Sequence, residues 1–579
     1  MLERTPVSET LAGAGAVGET GASAPLPLHA GLRGRVRAFH PLAAAIAIAA
    51  ALFALAPIAG LLHRALTGKA EVWAHLIAYV LPHALWETTL LLMGLAIVCG
   101  VVGVGTAWLI ASYRFPGARI LAWMLALPLA FPTYIVAYVY VEVLGPFGPA
   151  QMALRGVTGW RSAADYWFPE VRSLGGAVFV LGFVLFPYVY LTALVMFRAQ
   201  NFTLVESARV FGASTWRVLR DIVLPMARPA VAAGLALVLL EALNDIGAAE
   251  YLGVQTLTLS VFTTWLNRGD LAGAAQIACV LLSVIAIFIW LERYGRRLSG
   301  FVGHSASSHG TRRPVLRGWQ AAGAFLACAV PVTLGFLVPF GYLAREALWR
   351  VNRDGVDPAL PAHLVSTFTY AAAAVLLTLA LGFGAALSAR LIGRSWARLC
   401  ASIAGLGYAV PGTVLALGLL TPFALIDGAI NAVARGLSGT GVGLIIAGSG
   451  GAMVIAFALR FLAVATGVAD AGLARIPHDF DGAARVAGAG PLALIRTIHL
   501  PLLRPALAAA ALLVFVDSLK ELSMALLLRP LNVETLSTYV YQFAVRGVFE
   551  DAALAALLIV ALGIGPAIRT VMVTPASRA

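Results

Sequence analysis

The chain has 579 residues, of which 60% are hydrophobic and only 12% charged, with a formal net charge of +13 and a mean hydropathy of +0.89. Soluble globular domains carry about 25% charged residues. This balance therefore excludes an ordinary soluble enzyme or binding domain and points to lipid as the main solvent. The positive charge is mostly arginine in short loops between apolar blocks, with no basic patch interleaved with aromatics, so it reads as membrane orientation and no nucleic-acid partner is expected.

In chain order, residues 1–38 are rich in Gly, Ala, Ser and Pro and end in Arg33, Arg35 and Arg37. They lack the early short apolar core of a signal peptide and are expected to be a disordered cytoplasmic tail. Apolar blocks then predict spans near 41–63, 87–112, 119–144, 174–197, 228–251 and 272–292. A second series follows near 319–344, 365–389, 399–426, 440–467, 503–528 and 549–571. Each block is close to the ~20 residues that cross a hydrocarbon core as helix. The expected organisation is a first half over 39–297, a basic, flexible cytoplasmic linker over 298–317 and a second half over 318–579.

With the N-terminus inside, 26 Lys and Arg residues fall in inside segments and 12 in outside segments. That bias predicts both termini in the cytoplasm. The outside stretch 145–173 carries Trp160, Tyr166 and Trp167, expected as interfacial anchors. Cys99, Cys279, Cys328 and Cys400 lie in or beside apolar blocks without metal-site spacing and are expected as buried free thiols.

An internal repeat is the most informative feature. Residues 206–230 (ESARVFGASTWRVLRDIVLPMARPA) and 482–506 (GAARVAGAGPLALIRTIHLPLLRPA) are identical at 12 of 25 positions with a shift of 276. Both copies follow the fourth span of their half. An even number of crossings separates them, so they emerge on one face, and the halves are expected to be parallel repeats about a two-fold axis along the membrane normal. In each copy a helix-prone stretch meets a glycine, Gly212 or Gly488, that permits a sharp break. Ser214 in one copy and Gly490-Pro491 in the other then signal a second short helix. Leu224-Pro225 and Arg228-Pro229 are expected to stop that helix and launch the next span.

These loops, about 198–228 and 470–504, resemble the EAA motif of ABC importer permeases: Glu-Ala-Ala, three residues, Gly, about nine residues, then Ile-x-Leu-Pro. The first copy matches at Glu206, Ala208, Gly212, Ile222, Leu224 and Pro225, with Ser207 in place of the first Ala. The second matches at Ala483, Ala484, Gly488, Ile498, Leu500 and Pro501; Gly482 replaces the Glu, and Asp481 is adjacent. The resemblance implies a coupling helix on each half that docks into a cleft of a cytoplasmic ATPase, two copies of which would serve one permease. No G-x-x-x-x-G-K-[ST] phosphate loop occurs in the chain. ATP and Mg2+ are thus expected on the partner, with no cofactor and no catalytic residue here.

Across nearly the whole chain the sequence is similar to the fused permeases of ferric-iron importers, through Glu241-Ala-Leu-Asn-Asp245-Ile-Gly-Ala, Asp517-Ser-Leu-Lys520-Glu521-Leu, Arg529-Pro530, Phe131-Pro132 and Tyr408-Ala-Val-Pro411-Gly412. The implied fold is an all-α integral membrane protein of about twelve transmembrane helices in the bacterial inner membrane. The implied partner outside is a substrate-binding protein, and the implied cycle is alternating access. Relatives of this group also serve thiamine, sulfate, polyamines or phosphonates, so these substrates stay open beside iron.

The same shift pairs Glu241 with Asp517, Asn244 with Lys520 and Asp245 with Glu521. From Pro229 to Glu241 is 12 residues, ~18 Å of helix rise, which places the acid near mid-bilayer. Ionisable groups at that depth face a bundle interior or a wet cavity. Three readings are open for Glu241, Asp245, Arg460, Asp517, Lys520 and Glu521: helix-packing pairs, pathway lining, or oxygen ligands for a passing cation. In the packing reading Lys520 pairs with Glu241 or Asp517, and Arg460 with Asp245. No resident metal site is expected. A secondary transporter would share repeated halves and buried charges but has no need of the duplicated loop, and a membrane enzyme would need converging catalytic side chains that the sequence does not offer.

Overall fold

The computed structural model describes residues 30–199, 207–208, 210–297 and 313–573. Most of the expected tail, Glu206 and most of the linker lie outside the described residues. Helices account for the described architecture, and an isolated bridge between Arg114 and Val315 is the sole strand-like pairing among these residues.

Ten helices are long and apolar enough to cross a membrane: Pro41–Leu66, Glu71–Ser112, Leu174–Arg198, Trp216–Asn244, Leu271–Trp290, Gly318–Asp354, Leu360–Ile392, Gly412–Ser438, Gly450–Ala474 and Pro491–Lys520. A bent pair, Ala118–Ala130 with Thr133–Thr158, whose two arms meet at 95°, makes eleven when its arms are counted as one span. The helix Ala553–Val573 occupies the place of the twelfth expected span. A helix or a broken helix thus stands at the place of each of the twelve expected spans, and the first difference from the sequence reading is in the third of each series. The third crossing of each half is not a continuous rod. It breaks at a 3-10 turn, Leu127–Ala130 or Gly407–Ala409, and restarts after Pro132 or Pro411. A proline at that place cannot donate a backbone bond and disfavours helix in the residue before it.

The expected stop at Leu224-Pro225 does not occur. The short helix Thr215–Val218 passes through a π-helical turn, Leu219–Val223, straight into Leu224–Asn244, and the second half repeats this with Ile495–His499 before Leu500–Lys520. Two more π-turns, Leu76–Val80 and Thr333–Leu337, precede Leu81-Pro82 and Val338-Pro339. In all four, the wider turn lies just ahead of a proline in the first residues of the next helix. The local change of bonding register accommodates the missing N–H and the ring, and the helix continues.

Duplication is visible in the hydrogen bonds. Thr88 Oγ1 accepts from Leu257 N at 3.0 Å, and Thr367 Oγ1 from Leu536 N at 2.8 Å. Thr256 and Thr535 each cap the short helix that follows. The first span of each half, however, packs on the other half. Pro41–Leu66 lies against Leu360–Ile392, Ser395–Ala404 and Gly412–Ser438. Gly60 and Gly418 form that crossing, where an added Cβ on either would run into the other helix's backbone. Such small residues let helices approach closely in lipid. Reciprocally, Gly318–Asp354 packs on the first half, and Tyr140 Oη donates to Leu334 O at 2.5 Å.

Candidate functional site

Each repeated loop is built around its glycine. Gly212 has φ +80° and Gly488 φ +85°, the left-handed region where a side chain is strained. In the first loop Phe211 N donates to Ser207 O at 3.0 Å and Ala213 N to Ala208 O at 3.0 Å; in the second Ala487 N donates to Ala483 O at 2.9 Å and Ala489 N to Ala484 O at 2.9 Å. These paired bonds close both helices with the same glycine-dependent stop. The next helix starts as the sequence indicates. Ser214 Oγ accepts from Arg217 N at 3.3 Å, and Pro491 follows Gly490 as the first residue of Pro491–Leu494. Ala208 and Ala484 are half-buried alike, as are Pro225 and Pro501; Leu224 is half-buried and Leu500 more open.

The outward faces also correspond. Val210 and Val486 are 84% and 88% exposed, and Trp216 and Leu492 are 67% and 54% exposed. Apolar side chains are thus held open at matching positions of the two equivalent loops.

The inward faces differ. Val218 and Leu494 are buried in both copies, but the next inward position is Val223 in one and His499 in the other. His499 Nε2 lies 2.9 Å from Asp481 Oδ1, and Asp481 Oδ2 accepts from Arg390 Nε at 2.9 Å. Arg390 also donates to the carbonyls of Leu473 and of Ile476, the latter at 3.0 Å. Burial raises the Asp481 carboxyl, but its bonds to Arg390 and His499 outweigh this and hold it below the usual carboxylate range. Asp481, which stands beside the missing Glu of the second loop, therefore points into the protein. Arg390 and His499 escaped the sequence reading: nothing around Arg390 marks it, whereas a histidine where the other copy has valine was a usable signal.

The intramembrane charges gather at one cavity of about 90 Å3 between the halves, lined by Glu241, Asn244, Asp245, Arg460, Asp517, Lys520 and Glu521 together with Tyr134, Tyr188 and Tyr408. All six charged residues named from the sequence are brought together, but the expected pairing is corrected. Arg460 lies 3.4 Å from Glu521 through Nε and donates from Nη1 to Asn244 Oδ1 at 2.7 Å. Asp245 is not its partner. Asp245 Oδ1 instead accepts from Ala248 N at 2.9 Å, capping Ile246–Tyr251, and Glu521 Oε1 accepts from Met524 N at 3.2 Å at the equivalent helix. The spans end at these acids, so each carboxylate satisfies a free N–H at the next helix start. Lys520 Nζ donates to Leu129 O at 2.9 Å and has no ion pair within 4.0 Å among the described residues. Among those residues, no group of three or more His, Cys, Asp or Glu is placed to hold a metal ion.

Comparison with known proteins agrees with this architecture. Residues 101–300 and 378–573 both match the family described as binding-protein-dependent transport system inner membrane component. Over 490 residues, 82% of this chain and 87% of the relative, the sequence is 24% identical to the Fe(3+)-transport system permease protein FbpB 2 of Haemophilus influenzae. It is 25% identical over 501 residues to the probable ABC transporter permease protein y4fN of Sinorhizobium fredii, covering 81% of this chain and 83% of that one. The molybdenum transport system permease protein ModB of Escherichia coli is 28% identical over 208 residues, which is 34% of this chain and 87% of ModB. Both halves match and together exceed half the chain, so the protein belongs to the family of binding-protein-dependent transport inner membrane components.

Proposed function

We propose that this member of the binding-protein-dependent permease family passes ferric iron from an extracytoplasmic binding protein to the cytoplasm, driven by two copies of a separate ATPase that dock on its repeated loops. The observation that carries the docking reading is the matched exposure of Val210 with Val486 and of Trp216 with Leu492. An amphipathic short helix offered in this way suits a groove on a partner, and its rigid continuation into Leu224–Asn244 or Leu500–Lys520 carries movement of the partner into the membrane. ATP and Mg2+ belong to the ATPase in this reading, and both termini of the permease are cytoplasmic.

Iron as cargo is supported by similarity to the Haemophilus influenzae Fe(3+) permease over most of both chains. It is also supported by the charge of the central cavity, where four carboxylates face two cations. An unbalanced acidic lining lowers the electrostatic barrier for a cation and raises it for an oxyanion. Thiamine is the next substrate to test. Ferric uptake by intact cells is compared with the gene present, deleted and restored as wild type or as Gly212→Pro. Loss on deletion with rescue by wild type alone is the expected result. Unchanged uptake after deletion, in cells without another ferric importer, would remove iron as the substrate.

A further inference from the structure

Asn244 and Lys520 end the equivalent spans Leu224–Asn244 and Leu500–Lys520, and each reaches into the opposite half. Asn244 Oδ1 accepts from Gly412 N at 2.7 Å, at the restart of the second half's broken crossing, and from Arg460 Nη1 at 2.7 Å. Lys520 Nζ donates to Leu129 O at 2.9 Å, inside the 3-10 turn that breaks the first half's third crossing. Ser523 Oγ adds a bond to Asn244 O at 3.1 Å. The backbone groups at both breaks lack helical partners, and at membrane depth they must find them elsewhere. Here the opposite half supplies them.

We propose that these crossed contacts are the latch that closes the translocation pathway, with Asn244 and Lys520 as its two equivalent bolts. The cavity they border, about 90 Å3, lies on the interface that their bonds bridge. Cargo moving between the halves has to cross this interface, so the halves must part here for transport. Parting exchanges each cross-half bond for a bond to water entering the path, which makes the contact reversible. Removing a bolt shifts the population toward the parted state without touching the loops that dock the ATPase. The inference rests on the reading of the chain as an ATP-driven import permease.

The test uses the full chain captured with its ATPase from host membranes and reconstituted in lipid vesicles. Asn244→Ala and Lys520→Met are expected to raise ATP hydrolysis in the absence of binding protein about tenfold, the shift carried by one charge-assisted hydrogen bond. Lys520→Arg, which keeps the donor, is expected to hold hydrolysis near wild type. Wild-type hydrolysis in both Asn244→Ala and Lys520→Met would overturn the latch while leaving the permease reading intact; failure of the wild-type chain to capture any ATPase would overturn both. Independently, Leu129→Cys with Lys520→Cys, in a chain whose four native cysteines are replaced by alanine, is joined by a reducible thiol cross-linker. Transport that stops on cross-linking and returns on reduction supports the latch. Full transport while cross-linked would overturn it.

Discussion

The two repeated loops share an exterior and differ in how they are fastened. Both have the same glycine-closed helix, the same open valine and the same π-turn leading into a span. The first is fixed on its inner side by apolar contact at Val218 and Val223. The second is tied through Asp481 to His499 on its own span and to Arg390 at the end of Leu360–Ile392. The exposed valine and the glycine stop are common to both copies, while the inner anchorage is valine in one and a buried ionic network in the other. A partner that contacts both loops therefore meets two similar surfaces on mounts of different stiffness.

The largest expected effect comes from cutting the stiff mount. Arg390→Met leaves Asp481 buried without its cation, and breaking such a pair costs about 3–5 kcal/mol. Hydrogen exchange should rise across 478–499 and stay unchanged across 213–230. Equal exchange in both loops would erase the distinction. Replacing the whole network by apolar residues, Arg390→Met with Asp481→Val and His499→Val, is expected to recover most of the lost protection, since apolar substitutes for a buried pair are often near neutral. Next in size are Gly212→Ala and Gly488→Ala. Each forces a side chain into the left-handed region at about 1–2 kcal/mol, and the two should lower transport alike because this feature is common to both loops. Ser214→Ala removes a cap worth about 1 kcal/mol, and its effect should be confined to exchange in the first loop.

Acidity sharpens the comparison most gently. The Asp481 carboxyl is held below its usual range, so its contribution is present above the ordinary value of about 4 and is lost as pH falls through the depressed one. Exchange in 478–499 should stay slow down to about pH 4 and quicken only below it. In Asp481→Asn it should be fast throughout, and a loss already complete at neutral pH in wild type would contradict the assignment.

The crossings and the glycine stops were legible in the sequence because they rest on local properties: apolar length, an obligatory left-handed residue, a serine or proline at a helix start. The 276-residue shift also located the intramembrane acids in equivalent pairs. Their partners were not legible. Arg460 turned to Glu521 and Asn244, while Asp245 caps the next helix through the N–H of Ala248, and that bond exists only because the span ends at Asn244. Lys520 took a carbonyl that became free when the third crossing broke. Continuous helices were the natural reading of Leu127–Ala130 and Gly407–Ala409, and with helices intact there would have been no free carbonyl to find. The prolines misled in the opposite direction, since Pro225 reads as a stop until the π-turn before it is seen.

The exchange of first spans between the halves carries a consequence for how the chain came to be one polypeptide. Each half clasps the other with an apolar arm, at Gly60–Gly418 on one side and along Gly318–Asp354 on the other. Two separate ancestral copies sharing this arrangement would already have been interlocked like hooked fingers, unable to part without drawing a helix through lipid. The covalent link between the halves is then a cord on a knot that the helices tie by themselves.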